Sequence, residues 1–336
     1  MDYDDLEKEL NTNMKSLYLL YGQESYLIDM AVKKIKKKFD ELVQGINYIV
    51  IDETNTDEII PNIEMPAFGY DRKLIIVKNS GLFKKDGRKK TESPIQEKVS
   101  NYINENHDML DDSVVLVFVE EEADKSSVFE AVNKYGSICK IDELKINQLI
   151  NKLKKICDLY EVNVTQATLN YFVENCGTNL QNLINEIRKL IEYKGKGGTI
   201  EIADINKLSI KQIESIIFDL TDNLAIRKVD KSLEILDNLI YQKEPLQKIL
   251  ITLYGHFKKL YICAEAVNSN KDIVNVLKLK PNQTFLINKY KNQAKHFKLK
   301  ELRKILSDFA DLDYNFKVGN IDLDVGLRSV LCNSCM

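Results

Sequence analysis

The residues whose types and spacing could do chemistry gather at the ends of apolar runs. SLYLLYG, from Ser16 to Gly22, closes on a glycine and leads into GQESYLID (Gly22 to Asp29). A glycine turn between a strand and a helix is the usual seat for nucleotide phosphates. Phosphoryl transfer there needs GxxxxGK[ST]: glycines admit backbone N–H groups to the phosphates, and the lysine and hydroxyl meet phosphate and magnesium. This turn has no second glycine and no lysine, so the cradle is missing. The apolar run Leu74 to Val77 should end in acids that hold magnesium, yet it runs into Lys78 and Asn79. Glu120, Glu121 and Glu122 follow a different apolar run, and without a P-loop they read as a solvated loop. The nucleotide site reads as lost, which leaves no cofactor to expect.

Other chemistries have still less support. His107, His256 and His296 lie far apart, with no acid or nucleophile spaced to serve them. Of the six cysteines, only Cys332 and Cys335 form a CxxC, near the C-terminus and without a second pair or a histidine partner. Cys139, Cys157, Cys176 and Cys263 fall at apolar positions and read as reduced core thiols, so neither a metal nor a catalytic residue is expected.

One stretch stands apart, EMPAFGYDRKLIIVKN from Glu64 to Asn79. Its second half is a run for a strand buried on both faces. Before it, Met65, Pro66, Ala67 and Phe68 make a short apolar knuckle closed by Gly69. An aromatic held between a helix-stopping proline and a glycine is readily presented outward. The knuckle therefore reads as a plug for a partner, or more plainly as a cap on the sheet's edge.

The elements that carry these residues alternate in the first third. Strands at Ser16–Gly22, Ile46–Asp52, Leu74–Val77, Val114–Val119 and Ser137–Ile141 are separated by helical patterns, which predicts a parallel sheet with right-handed crossovers. KKDGRKK, Lys84 to Lys90, reads as a long loop. Lys145 to Tyr160 is amphipathic, a second helix starts at a Thr165 cap and stops at Gly177, and a third follows with Leu180, Leu183, Ile184 and Ile187 on one face. KGKGG follows a helix with no strand before it, so it reads as a turn and not a phosphate loop. From about Gln212 the pattern is helical to the end.

With 336 residues, 44% hydrophobic and 29% charged, the chain has ordinary globular composition and length for two or three domains. Its acidic start has no signal-peptide core, and its densest apolar run, VVLVFV, is far short of a membrane span, so a cytoplasmic protein without a membrane partner is expected. Net charge is −3, yet Lys243 to Lys317 holds fifteen Lys or Arg against seven Asp or Glu, a local +8. A polyanion is a natural partner for such a surface, and KYKNQAKHFKLKELRK, with Lys291, Lys295 and Lys298, is the candidate nucleic-acid contact.

The order of parts resembles the delta subunit family of the bacterial DNA polymerase III clamp loader. The resemblance is carried by YLLYGQESYLIDMAVKKI, MPAFGYDRKLIIVKN, GTNLQNLINEIRKL with GTIEIADI, and IDLDVGLRSVL, and it spans nearly the whole chain. It implies a degenerate AAA+ (RecA-like) α/β module over 1–143, a three-helix lid over 144–209 and a helical collar for oligomerisation over 210–336. It also implies that the arginine by which active relatives sense the γ-phosphate is replaced, here by Leu180. The function implied is non-catalytic: the segment before the third strand docks into the sliding clamp and opens its ring, with Phe68 as the plug and Met65, Pro66 and Ala67 beside it. Ala67 is smaller than the family's usual residue, which leaves Met65 to supply apolar surface, and Leu82 and Phe83 are the next candidates for a plug. The partners implied are the clamp, motor and delta-prime type subunits, and primed DNA. An ATP-hydrolysing motor subunit is the alternative.

Overall fold

The five apolar runs become strands of one wholly parallel sheet, because each is rich in residues that pack on both faces of a buried strand. The structure is a computed structural model describing residues 1–84, 93–269, 272–279 and 283–334, apart from the side chains of 109, 111 and 112. Most of the KKDGRKK loop and Cys335 therefore lie outside the described residues. The chain divides into two units, Met1–Glu143 and Leu144–Met336.

In the first unit the elements run α1 (Tyr3–Thr12), β1 (Leu17–Tyr21), α2 (Ser25–Lys36), β2 (Tyr48–Ile51), α3 (Ile59–Glu64), β3 (Lys73–Lys78), α4 (Pro94–Ser113), β4 (Val114–Glu120), α5 (Ser127–Tyr135) and β5 (Ser137–Lys140). The sheet order is β2-β3-β4-β1-β5. Register is set by pairs such as Ile49 with Ile75, Ile75 with Leu116 and Leu19 with Phe118. Leu19, Ile75, Val77, Leu116 and Phe118 form one buried core with Ile59, Ile63 and Phe83, whose ring meets Phe118 edge-on at 5.1 Å. Phe83 and Leu82, the reserve plug candidates, are thus core residues with nothing to offer a partner. The acidic start is a helix, α1, with Asp2 accepting from the Asp5 N–H as its cap. Its Leu6 and Leu10 are buried and it packs against α2 and β5.

The second unit begins with α6 (Ile146–Leu159), β6 (Asn163–Val164), α7 (Gln166–Cys176), α8 (Leu180–Lys194), β7 (Thr199–Ile200) and α9 (Ile202–Leu208). Thr165 caps α7 by accepting from the Thr168 N–H at 3.1 Å, and Gly177 leaves the helix at φ 81°. KGKGG is the turn between α8 and β7, pinned by the short parallel pairing of β6 with β7. Cys139, Cys157 and Cys176 are buried free thiols, pushed up to about 11, 11 and 12 by that burial.

Seven more helices complete it: α10 (Ile213–Ala225), α11 (Val229–Tyr241), α12 (Leu246–Asn268), α13 (Ile273–Leu277), α14 (Leu286–Ala294), α15 (Leu299–Lys317) and α16 (Leu323–Asn333). Their apolar stripes close around α12, with Leu253, Phe257 and Leu260 meeting Phe297, Leu302 and Phe309 in one core. In the closing IDLDVGLRSVL, Asp322 caps α16 and Gly326 lets it lie on α15, since a Cβ there would sit 2.1 Å from a Leu312 methyl.

One polar network sits inside this core. The Gln293 amide N–H groups donate to the Phe218 carbonyl at 2.9 Å and the Asp222 carboxylate at 2.7 Å, which turns its oxygen toward His256 Nε2 at 2.8 Å. The imidazole must therefore carry its proton on Nε2. Burial lowers His256 to about 4. A depressed value means that the neutral ring contributes stability above the unfolded value near 6.5, and that this contribution is lost as pH falls toward 4. The expected loss is about 3 kcal/mol across that window, most of it below pH 6. Urea unfolding at pH 7 and pH 4.5 should show a smaller drop for His256→Leu than for the parent; parallel drops would mean that the ring is not held neutral.

Candidate functional site

The knuckle is built by what its neighbours lack. Proline is tolerated in the first turn of a helix, and Pro61 sits there in α3. Ile59, Ile60 and Ile63 bury against the sheet core, and the last intrahelical bond runs from the Met65 N–H to the Pro61 carbonyl at 3.1 Å. The next donor in register would be residue 66, which as proline has no N–H, so the helix stops. The chain then turns back: the Tyr70 N–H reaches the Ala67 carbonyl at 3.3 Å, with Phe68 at φ 41° and Gly69 at φ 91° as the central residues. Two positive φ angles define a turn that glycine tolerates and a bulky residue does not.

The result is a ring set out in solvent. Phe68 is 66% exposed and Met65 47%; Pro66 is exposed and Ala67 half-buried. The sheet-cap alternative fails for Phe68, because a ring so exposed covers no sheet edge. Behind the knuckle lies Lys73, the first residue of β3 and fully buried. Its ammonium donates to the Asn62 carbonyl at 2.9 Å and the Met65 carbonyl at 2.5 Å. Burial holds it below the ordinary lysine range. Next to it, Arg72 reaches across to the Ser16 hydroxyl at 3.1 Å. Nothing in the sequence marked Lys73, since a lysine before an apolar run reads as a solvated strand end.

At the opposite ends of the strands, the seat for phosphates is filled by the chain itself. The Gly22 N–H donates to the Glu120 carbonyl at 3.2 Å, and the Glu24 N–H to the Ile141 carbonyl at 3.0 Å. Ile141 presses so closely on Gly22 that a Cβ there would lie 2.3 Å from its oxygen. Glu120 is not solvated as expected, although Glu121 and Glu122 are. It is buried, and its carboxylate accepts from the Ser80 N–H at 2.8 Å and the Ser80 hydroxyl at 2.6 Å, bracing the turn after β3. Burial raises its pKa above the usual carboxylate range, with the Ser80 bonds opposing. Leu180 is buried as the first residue of α8, behind an Asn179 cap.

The basic candidates lie around one corner of the helical unit. Lys291 is half-buried in the last turn of α14, Lys295 follows that helix, and Lys298 precedes α15; the last two are exposed. Among the described residues, no group of three or more His, Cys, Asp or Glu is placed to hold a metal ion, and no helix is long and apolar enough to cross a membrane.

The sheet order and the helices that follow define an AAA+-like α/β module joined to a helical unit. Within that class, the DNA polymerase III delta subunit model matches residues 18–142, and the model of the delta subunit's C-terminal domain matches residues 214–334. The chain is 27% identical over 324 residues to DNA polymerase III subunit delta of Bacillus subtilis (strain 168), covering 94% of this chain and 91% of that protein. It is 28% identical over 310 residues to a probable DNA polymerase III subunit delta of Aquifex aeolicus (strain VF5), covering 88% and 85%. The Bacillus subtilis DNA clamp loader delta protein has the same fold, with a TM-score of 0.74 and 24% identity over 99% of both chains. The chain belongs to the DNA polymerase III delta subunit family.

A left-handed Phe68 stores strain of about 1 to 3 kcal/mol, while its exposed ring contributes little burial. Phe68→Gly is therefore expected to melt at the same temperature as the parent or slightly above it. A clear drop in thermal stability would mean that the ring belongs to the core.

Proposed function

We propose that this chain is the subunit of a clamp loader that binds the sliding clamp and opens its ring, without hydrolysing nucleotide itself. The observation that carries this reading is the Met65–Phe68 knuckle: an aromatic and a thioether held in solvent on a strained turn. Strained backbone and exposed apolar side chains persist where a partner uses them. The resemblance implies that this segment is the clamp-binding one, with Phe68 as its plug.

Opening the ring requires that the chain bind the open clamp better than the closed one, because a ligand shifts an equilibrium only by its differential affinity. A rigid knuckle suits that task. The non-catalytic part of the reading is supported by the spent amides of Gly22 and Glu24, by Lys78 and Asn79 where acids would be needed, and by the buried Leu180. Residues 144–209 then act as a lid, and 210–336 as a collar whose helices pack against equivalent helices of motor and delta-prime type subunits. Tyr241, Ile251, Tyr314 and Val325, exposed on α11, α12, α15 and α16, are apolar surface available for that packing. Primed DNA would meet Lys291, Lys295 and Lys298 in the assembled loader, in the cytoplasm.

A hot-spot aromatic typically costs about 2 to 4 kcal/mol on truncation, or roughly thirty- to a thousandfold in affinity. Phe68→Ala should weaken binding to the cognate clamp at least tenfold with melting unchanged, and Met65→Ala should weaken it less, since a flexible thioether gains less from a fixed pocket. The same preparations titrated with ATP should give no saturable binding. Clamp affinity unchanged by Phe68→Ala would sink the clamp reading, and saturable ATP binding would sink the non-catalytic one.

For DNA, replacing all three lysines in the assembled loader should lower affinity and flatten the dependence of log K on log salt by up to about three phosphate contacts. An unchanged slope would mean that they are only solvated.

A further inference from the structure

Lys73 is a buried ammonium in a place where an apolar residue would be cheaper. It opens β3 opposite Val114 of β4, is fully buried, and among the described residues has no carboxylate paired with it. Taking an ammonium out of water is unfavourable by several kcal/mol unless hydrogen bonds replace the lost hydration. The two bonds that replace it here both end on one object, the carboxyl end of α3.

That helix end has a specific deficit. α3 is only six residues long, and past the Met65 N–H to Pro61 bond its Asn62, Ile63 and Glu64 carbonyls have no intrahelical donor. The Asn62 carbonyl would be met by the N–H of residue 66, and Pro66 has none. The Met65 carbonyl would be met by residue 69, but the chain has already turned away through Phe68. Lys73 brings the missing donors from the neighbouring strand, and its positive charge suits the negative end of the helix. The proline that throws the knuckle outward and the lysine that ties its base are thus complementary.

We propose that Lys73 is the positioning residue of the knuckle: its ammonium replaces the N–H that Pro66 lacks and fixes the direction in which Met65 and Phe68 leave the sheet. This rests on the reading of Phe68 as the clamp contact. Lys73 touches no partner itself. It acts through the turn, so removing it frees the knuckle to sample other directions, and binding must then bear the entropy of ordering it.

The test uses the full-length chain and its cognate clamp, with affinity and thermal melting measured for Lys73→Met, Phe68→Ala, the pair together, and Lys73→Met with Pro66→Ala. Lys73→Met keeps the side chain's length and apolar stem and removes the donors. It is expected to bind at least tenfold more weakly while folded. Because it acts through Phe68, the pair should bind no more than about twofold more weakly than Phe68→Ala alone, a non-additivity that a general loss of stability would not produce. Adding Pro66→Ala restores a backbone N–H in register with the Asn62 carbonyl and should recover part of the lost affinity. Normal affinity in folded Lys73→Met, alongside a weakened Phe68→Ala, overturns this proposal and leaves the clamp reading standing. If Phe68→Ala binds normally, the clamp reading fails and takes this one with it. Should Lys73→Met not fold, the Pro66→Ala combination decides: folding with clamp binding supports the proposal. Failure to fold again, or folding without binding, makes Lys73 a requirement of the sheet and overturns it.

Discussion

A buried backbone N–H or C=O that finds no partner costs as much as a lost hydrogen bond, and in this chain that constraint works at both ends of one parallel sheet. At the carboxyl ends of the strands, the donors that would cradle a phosphate have been absorbed. Gly22 and Glu24 give their N–H groups to the Glu120 and Ile141 carbonyls, and Glu120 spends its carboxylate on Ser80. At the amino end of β3 the problem is reversed, because Pro66 removes a donor and leaves acceptors open. A lysine from the strand answers them. At one end of the sheet these amides are already bonded within the chain, and the other exports an apolar turn.

The helical unit obeys the same constraint by another route. Its core is mostly aliphatic and aromatic, and buried polar side chains enter it at Thr221, at Ser232, whose hydroxyl donates to the Leu220 carbonyl, and at His256 and Gln293, whose bonds run from α12 to α14 and on to Asp222 of α10. A satisfied network of this kind fixes the mutual placement of three helices more sharply than apolar contact does, since a slipped register would leave a buried amide or imidazole unpaired. For the collar proposed above, fixed helices are what a subunit interface would need. The exposed Tyr241, Ile251 and Tyr314 keep their positions only if the helices beneath them do.

Much of this was legible in the chain because the signals were local. Val, Ile and Leu runs alternating with amphipathic segments gave the parallel sheet, Thr165 and Gly177 marked the ends of α7, and Pro66 with Gly69 marked the knuckle. What escaped was tertiary. The acidic start forms α1 because Leu6 and Leu10 meet α2 and β5, a fact absent from its own charge pattern. Glu120 read as solvated because it opens a run of three glutamates, yet its side chain points to Ser80, forty residues away in the chain. Lys73 carried no local mark, because a charge before an apolar run is usually just a solvated strand end. In each case the partner that decides the residue's state comes from another element.

The turn at Phe68 carries the argument one step further. A left-handed phenylalanine is unfavourable in the free chain, and the fold sustains it through a short helix, a proline and a buried ammonium. Strain held in advance is a form of preorganisation: a partner that accepts Phe68 in this direction has no ordering of the turn to bear. A flexible loop with the same two side chains would spend part of its contact energy on becoming rigid, and would follow a closed ring as readily as an open one. A knuckle fixed to the sheet cannot follow. On the ring-opening reading proposed above, any mismatch between its direction and the closed form of the clamp would become free energy that favours the form it does fit, and that difference is what opening a ring requires.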